Sequence, residues 1–197
     1  ILFKPLRIRT GERESASELA PQPLYRELLG NAWERLPEPI RLMHNNIAGL
    51  EAHGNGRVAR GERWLARFAA TAFGFPEAAD SVPVRVSFQS RGHGELWRRT
   101  FNQKSFCSFQ ARGEGRSEGL LCERFGAFSF YMALVVEDEK LAFVVRGWSF
   151  LGIPLPLALA PMCNSYEFVQ EGRFHFHVEL AHALTGLIVR YSGWLIA

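Results

Sequence analysis

At 197 residues, 47% apolar and 22% charged, the chain has the size and composition of one domain with a real core. Its net charge of +3 rests on arginine, since Lys4, Lys104 and Lys140 are the only lysines, and the arginines are scattered among glutamates. That spread excludes nucleic acid as an expected partner, and no run reaches the ~18 apolar residues of a membrane span.

The first stretch, Ile1–Ile8, reads as a short strand or the remnant of an upstream segment, and Thr10–Gln22 is polar and linker-like. Residues 1–22 are therefore expected to be a linker or extension, and 23–197 a single domain. There is no signal-peptide pattern and no initial Met, as in a processed chain or a piece of a longer one. Leu24, Leu28 and Leu29 fall at helical spacing before Gly30, and Asn31–Leu36 and Pro39–His44 read as further helical turns with Trp33, Leu36, Ile40 and Met43 facing the core. Gly49–Arg60 alternates weakly and reads as the first strand, with a Gly54-Asn55-Gly56 kink inside it. Glu62–Phe75 is the clearest helix, its apolar stripe formed by Trp64, Leu65, Phe68, Ala69 and Ala72.

After Pro76 the pattern is one of strands. Val82, Val84, Val86 and Phe88 alternate strictly, and Arg91-Gly92-His93-Gly94 reads as a hairpin turn. Leu96–Phe101 follows. Phe106 and Phe109 in Ser105–Ala111 share no strand face, so a bulge is expected there. Beyond the polar turn Gly113–Gly119, Leu120–Phe125 leads into two long apolar runs, Ala127–Val136 and Leu141–Phe150. These flank the charged tip Glu137-Asp138-Glu139-Lys140 as a β-hairpin. Asn164–Val169, the turn Gln170-Glu171-Gly172, Arg173–Leu180 and Leu187–Ile196 complete the series. The expected fold is α+β: N-terminal helices packed on a strongly curved antiparallel sheet or β-barrel of about eight to nine strands. Such a sheet is a natural cup for a small ligand. Cys107, Cys122 and Cys163 share no metal-type spacing and sit among apolar residues. They are expected as buried free thiols in a reducing, cytoplasmic compartment.

Several stretches together resemble a bacterial family described only as a domain of unknown function, DUF4166. They are Leu24–Gly30 with Trp33 and Leu36-Pro37, the VPVRVSF strand, Glu123–Gly126, Leu151–Pro156 with Pro161, and the ending Gly186–Leu195. The resemblance runs from about Pro23 to Leu195. Family members occur alone or behind an NAD-binding domain similar to saccharopine dehydrogenase, which implies an NAD-dependent oxidoreductase domain as a partner. The resemblance brings no activity, cofactor or catalytic set with it, and the chain has no GxGxxG turn of its own.

The sharpest polar constellation is Arg173-Phe174-His175-Phe176-His177-Val178-Glu179, in which Arg173, His175, His177 and Glu179 share one strand face. His175 and His177, with Glu179 completing the set, are candidates for a metal or acid–base site. The other reading, a solvated outer face behind a buried Phe face, is favoured by the pattern alone. Arg146 and Arg190 interrupt apolar strands. Either they anchor an anionic ligand group, or they pair with Glu123 or Glu167 or face outward. Arg85 and Arg99 are expected to be exposed. Tyr131, Trp148, Tyr166, Tyr191 and Trp194 line a pocket or simply pack between strands. The apolar, proline-broken stretch Leu151–Met162, with Leu151, Ile153, Leu155 and Leu157, plugs the barrel, covers an apolar ligand as a lid, or docks on a partner domain or a membrane surface.

The leading expectation is an accessory domain that holds a small apolar or amphipathic ligand, with no cofactor. The alternatives are an enzyme using His175, His177 and Glu179, and an interaction module docking on an oxidoreductase through Leu151–Met162.

Overall fold

The computed structural model describes residues 22–45 and 49–197. The expectations for Ile1–Ile8 and for Thr10–Gln22, Gln22 excepted, lie outside the described residues. Two short helices come first, α1 (Leu24–Leu29) and α2 (Glu38–His44), joined by a 3-10 turn at Gly30–Arg35. Then come β1 (Leu50–Arg60), α3 (Trp64–Ala72) and a long antiparallel series: β2 (Ala79–Arg91), β3 (Gly94–Phe101), β4 (Lys104–Arg112), β5 (Leu121–Phe125), β6 (Phe128–Glu137), β7 (Lys140–Phe150), β8 (Ile153–Leu155), β9 (Met162–Gln170), β10 (Arg173–His182) and β11 (Gly186–Ile196).

The strand order is β6-β5-β4-β3-β2-β1-β11-β10-β9-β7-β8, and β6 also pairs with β7. That last pairing closes a barrel of ten strands and leaves β8 outside, on the edge of β7. Closure satisfies the backbone groups that a long meander would leave at its two edges. The barrel is slightly larger than the expected eight to nine strands, because β1 completes the wall between β2 and β11.

Period-two alternation decides what faces inward. Val82, Val84, Val86 and Phe88 of β2, Phe174 and Phe176 of β10, and Val189, Tyr191 and Leu195 of β11 are all buried. Each contributes about 1.5–3 kcal/mol by leaving water. The hairpin tips behave as their composition demands. Asp138 and Glu139 (φ 48° and 59°) and Glu171 and Gly172 (φ 52° and 72°) form two-residue loops of left-handed backbone, which matches the twist of the flanking strands.

Register gives the barrel two distinct ends. At one, α1 and α2 form a floor in which Trp33, Leu36, Ile40 and Met43 are buried, as their spacing predicts. The other end, the mouth, carries α3, the β5–β6, β7–β8 and β10–β11 turns, and the loop from β8 to β9.

Four expectations are corrected. Most of the apolar stripe of α3 faces out: Ala66 and Ala70 are fully buried, while Trp64 and Phe68 are 75% and 71% exposed and Leu65 and Ala69 are half-buried. The helix lies so close to β11 that only small side chains fit between them. A Cβ on Gly61 would sit 1.7 Å from the Leu187 carbonyl oxygen and 3.0 Å from the Ala66 Cβ. Second, β4 has no bulge; Phe106 points in and Phe109 out in regular register with β3. The register shifts fall instead at Gly56/Val58, Tyr131/Met132 and Leu180/Ala181. Third, the cysteines are free, but Cys107 is exposed because it alternates with the buried Phe106 and Ser108. Fourth, Leu151–Met162 does not plug the barrel. It runs outside as β8 and a 3-10 turn at Leu157–Leu159, with Leu151, Ile153 and Leu157 exposed and Leu155 half-buried.

Candidate ligand-binding site

The barrel encloses a cavity of ≈ 160 Å³. Its walls are largely apolar, with Val84, Val86, Met132, Phe143 and Val145 among them, and Phe73, Phe125, Pro161 and Ile188 stand toward the mouth. An apolar void of about 150 Å³ is enough for a benzene-sized molecule.

One side of the cavity is polar, and it is built from residues that alternate with aromatic ones on β3, β4 and β5. Arg99 lies over the Trp97 ring (4.8 Å to the centroid), and its side chain is only 13% exposed. Its Nη1 donates to Ser108 Oγ (2.8 Å) and its Nη2 to Glu123 Oε1 (3.1 Å). Ser108 Oγ donates on to the same carboxylate oxygen (2.6 Å), as does Gln110 Nε2 (3.0 Å). From the floor, the Tyr25 hydroxyl donates to Gln110 Oε1 (2.8 Å), and the Tyr25 ring stacks on His44 (3.7 Å). His44 Nε2 lies 2.6 Å from Glu167 Oε2 on β9. His44 Nδ1 is buried without a partner among the described residues.

This network leaves capacity facing the void. Among the described residues neither the second oxygen of Glu123 nor the Tyr191 hydroxyl has a hydrogen-bond partner, and neither is sealed from solvent-sized space. Both residues line the cavity.

Burial sets the protonation states. It pushes the Tyr191 hydroxyl well above its ordinary value, with Arg99 pulling it back and Glu123 and Cys163 adding to the rise. Burial likewise raises Tyr25, helped by Glu167, Glu123 and Glu95. For Arg99 burial pulls downward, yet Glu123, Tyr191 and Tyr25 outweigh it and its guanidinium is held charged. Burial raises the Cys163 thiol despite its contact with Ser165, so it is a poor nucleophile. The site thus offers a charge-matched ion pair and the neutral Tyr191 phenol to whatever enters.

Of the residues singled out from sequence, Tyr166 and Tyr191 line this cavity, and His177 borders it as well. Arg146 is exposed, and Arg190 pairs with Glu179 on the outer face. Neither meets Glu123 or Glu167, which bind Arg99 and His44 instead. Arg85 is exposed as expected, but Arg99 is not: it shares the inward face of Trp97 and Phe101, where Glu123 compensates its charge. His175 and His177 lie in a shallow outer groove with Tyr166, Phe168 and Trp194; Tyr166 stacks on His177 (4.9 Å) and Phe168 packs on His175 (5.2 Å). Among the described residues no three His, Cys, Asp or Glu side chains gather as a metal would require. Tyr131 contacts Ser149, and Trp148 Nε1 donates to the Pro156 carbonyl (3.0 Å), tying the β8 segment to the wall. Sequence reasoning misses Tyr25, His44 and Gln110, offers Glu123 and Glu167 only as partners for Arg146 or Arg190, and puts Arg99 on the surface. The one signal for Arg99, Gln110 and Glu123 is a polar residue repeated on the aromatic face of neighbouring strands: Trp97-x-Arg99, Phe106-x-Ser108-x-Gln110, Leu121-x-Glu123-x-Phe125.

The model of the family described as a domain of unknown function (DUF4166) matches residues 36–195. The quoted stretch Leu24–Gly30 and Trp33 fall before that range. No curated protein and no solved structure matches the chain. No helix among the described residues is long and apolar enough to cross a membrane.

Proposed function

This chain belongs to the DUF4166 family, a domain of unknown function, and from that premise we propose that its barrel holds a small amphipathic ligand with an uncharged polar end. The observation that carries the reading is the largely apolar cavity lined by Glu123 and Tyr191, where the second Glu123 oxygen and the Tyr191 hydroxyl have no hydrogen-bond partner among the described residues. Hydrocarbon packs against Val84, Met132 and Val145, and a hydroxyl reaches Glu123 and Tyr191. Because Glu123 already matches the charge of Arg99, a carboxylate ligand would bring an uncompensated buried negative charge, whereas a neutral alcohol or phenol would not.

Calorimetry with phenol, toluene and benzoate tests this, together with methyl chemical shifts at Val84, Val86 and Met132. Phenol is expected to bind, roughly tenfold more tightly than toluene, in line with about one extra hydrogen bond, and benzoate to bind weakest. Tyr191→Phe narrows the gap between phenol and toluene. Absence of binding by all three, or toluene binding as well as phenol, would refute the proposal.

A further inference from the structure

All but Leu42 and Ile196 of the large hydrophobic side chains left exposed among the described residues lie at the mouth. Trp64 and Phe68 stand one turn apart on α3. Leu184 sits in the β10–β11 turn, tied to α3 by the contact of Arg63 Nη1 with its carbonyl oxygen (3.5 Å). Leu151, Ile153 and Leu157 project from the β8 segment. The chain Phe73–Phe128–Phe150, with ring centroids 5.3 and 4.8 Å apart, links the C-terminal end of α3 to that segment. Three separate stretches of sequence thus meet at one end of the barrel, which isolated surface hydrophobics do not do.

Charge follows the same axis. Arg63 and Arg67 are exposed beside Trp64 and Phe68, and residues 151–162 and 183–185 carry no charged side chain. Of the acids at this end, Glu77 is matched by Arg60 and Lys104, and Asp80 by Arg57; Glu62 stands beside Arg63. The acidic tip Glu137–Glu139 is at the opposite end, where β6 turns into β7. Aromatic and aliphatic side chains interleaved with arginine, with each acid at this end beside a basic residue and the acidic tip at the far end, match the interface of an anionic bilayer in both apolarity and charge.

We propose that the mouth docks on an anionic lipid surface, with Trp64, Phe68 and the Leu151–Leu157 segment entering the interface and Arg63 and Arg67 at the headgroups. The cavity then faces the bilayer from which an amphipathic ligand would come. That last step rests on the ligand-binding reading above; the docking does not.

The full chain is sedimented with vesicles of phosphatidylcholine alone and of phosphatidylcholine with phosphatidylglycerol. Binding is expected to the anionic vesicles, to weaken with added salt, and to be lost in Trp64→Ser with Phe68→Ser. Arg63→Glu with Arg67→Glu is expected to weaken it roughly tenfold or more. These side chains face solvent, so unchanged thermal unfolding of the variants certifies their fold. No binding by the wild type, or equal binding by wild type and variants, overturns the proposal. So does a concentration-dependent dimer that Trp64→Ser breaks, which would give the rim to a second copy of the chain. Phenol titration in vesicle-free buffer separates the two readings. Phenol uptake without sedimentation removes only the docking, and sedimentation without phenol uptake removes only the ligand site.

Discussion

Arg99 on β3 reaches across β4 to Glu123 on β5, its Nη2 3.1 Å from Oε1 inside the barrel. Ser108 and Gln110 on the intervening strand donate to the same oxygen, so three strands are clamped on one carboxylate. Removing one partner leaves a buried charge, and Arg99→Met is expected to cost about 3–5 kcal/mol. Replacing both, Arg99→Met with Glu123→Leu, leaves no such charge and recovers most of that loss. Recovery is incomplete because Ser108 and Gln110 then lack their acceptor. Urea denaturation of the two variants decides it; a double variant as unstable as the single one contradicts the account.

Tyr25 makes the corresponding connection between floor and wall. Tyr25→Phe removes its bond to Gln110 Oε1 and is expected to cost about 1–2 kcal/mol. Its hydroxyl titrates well above 10 in the folded chain, first because of burial and then because of Glu167, Glu123 and Glu95. Above about pH 10 the unfolded chain releases this proton while the folded chain keeps it. The associated stability is therefore fully present below that pH and is lost as pH rises further. Tyr191 acts in the same sense. Alkaline unfolding should be less steep in Tyr25→Phe than in the wild type.

Local pattern carried the strands, and three-dimensional pairing carried the site. Val82–Phe88 is legible because alternate residues meet alternate environments. Trp33, Leu36, Ile40 and Met43 are legible for the same reason at helical period. Arg99 is not, because a charge on an aromatic face reads as exposed until its partner is known, and Glu123 lies two strands further on. Tyr25 and His44 come from helices with no sign in their own sequence that they stack under a barrel. Trp64 and Phe68 mislead for a different reason. An apolar stripe normally marks the buried face, but here alanines permit the close approach and the bulky residues are left outside.

His175 and His177 give the barrel an acid-side sensitivity. Both titrate below the ordinary imidazole value of 6.5, chiefly because of burial. Glu171 opposes and Arg173 reinforces the shift at His175, and Glu179 and Arg190 do so at His177. Below 6.5 the unfolded chain takes up protons before the folded one, so this contribution is present above that pH and is lost as pH falls through the folded values. Denaturant midpoints measured down from neutral pH should decline more steeply in the wild type than in His177→Gln. NMR titration of the ring protons should place both histidines below 6.5; a normal or raised value removes the basis of the prediction.

The seat of α3 offers a test of which face is buried. Ala66 is fully buried and its Cβ lies 3.0 Å from where a Gly61 side chain would begin. Ala66→Leu must either shift the helix off β11 or force strained rotamers, at about 1–3 kcal/mol. Gly61→Ala would place its methyl 1.7 Å from the Leu187 carbonyl oxygen, a contact that only backbone movement relieves, so it too should destabilise. Trp64→Ser and Phe68→Ser remove far larger side chains but from the solvent face, and each should stay within about 0.5 kcal/mol of the wild type. At this chain length 1 kcal/mol moves the midpoint by roughly 2–4 °C, so thermal denaturation separates the two pairs. If the serine variants fall and the packing variants hold, the helix sits the other way round, with Trp64 and Phe68 in the core and no apolar rim at the mouth.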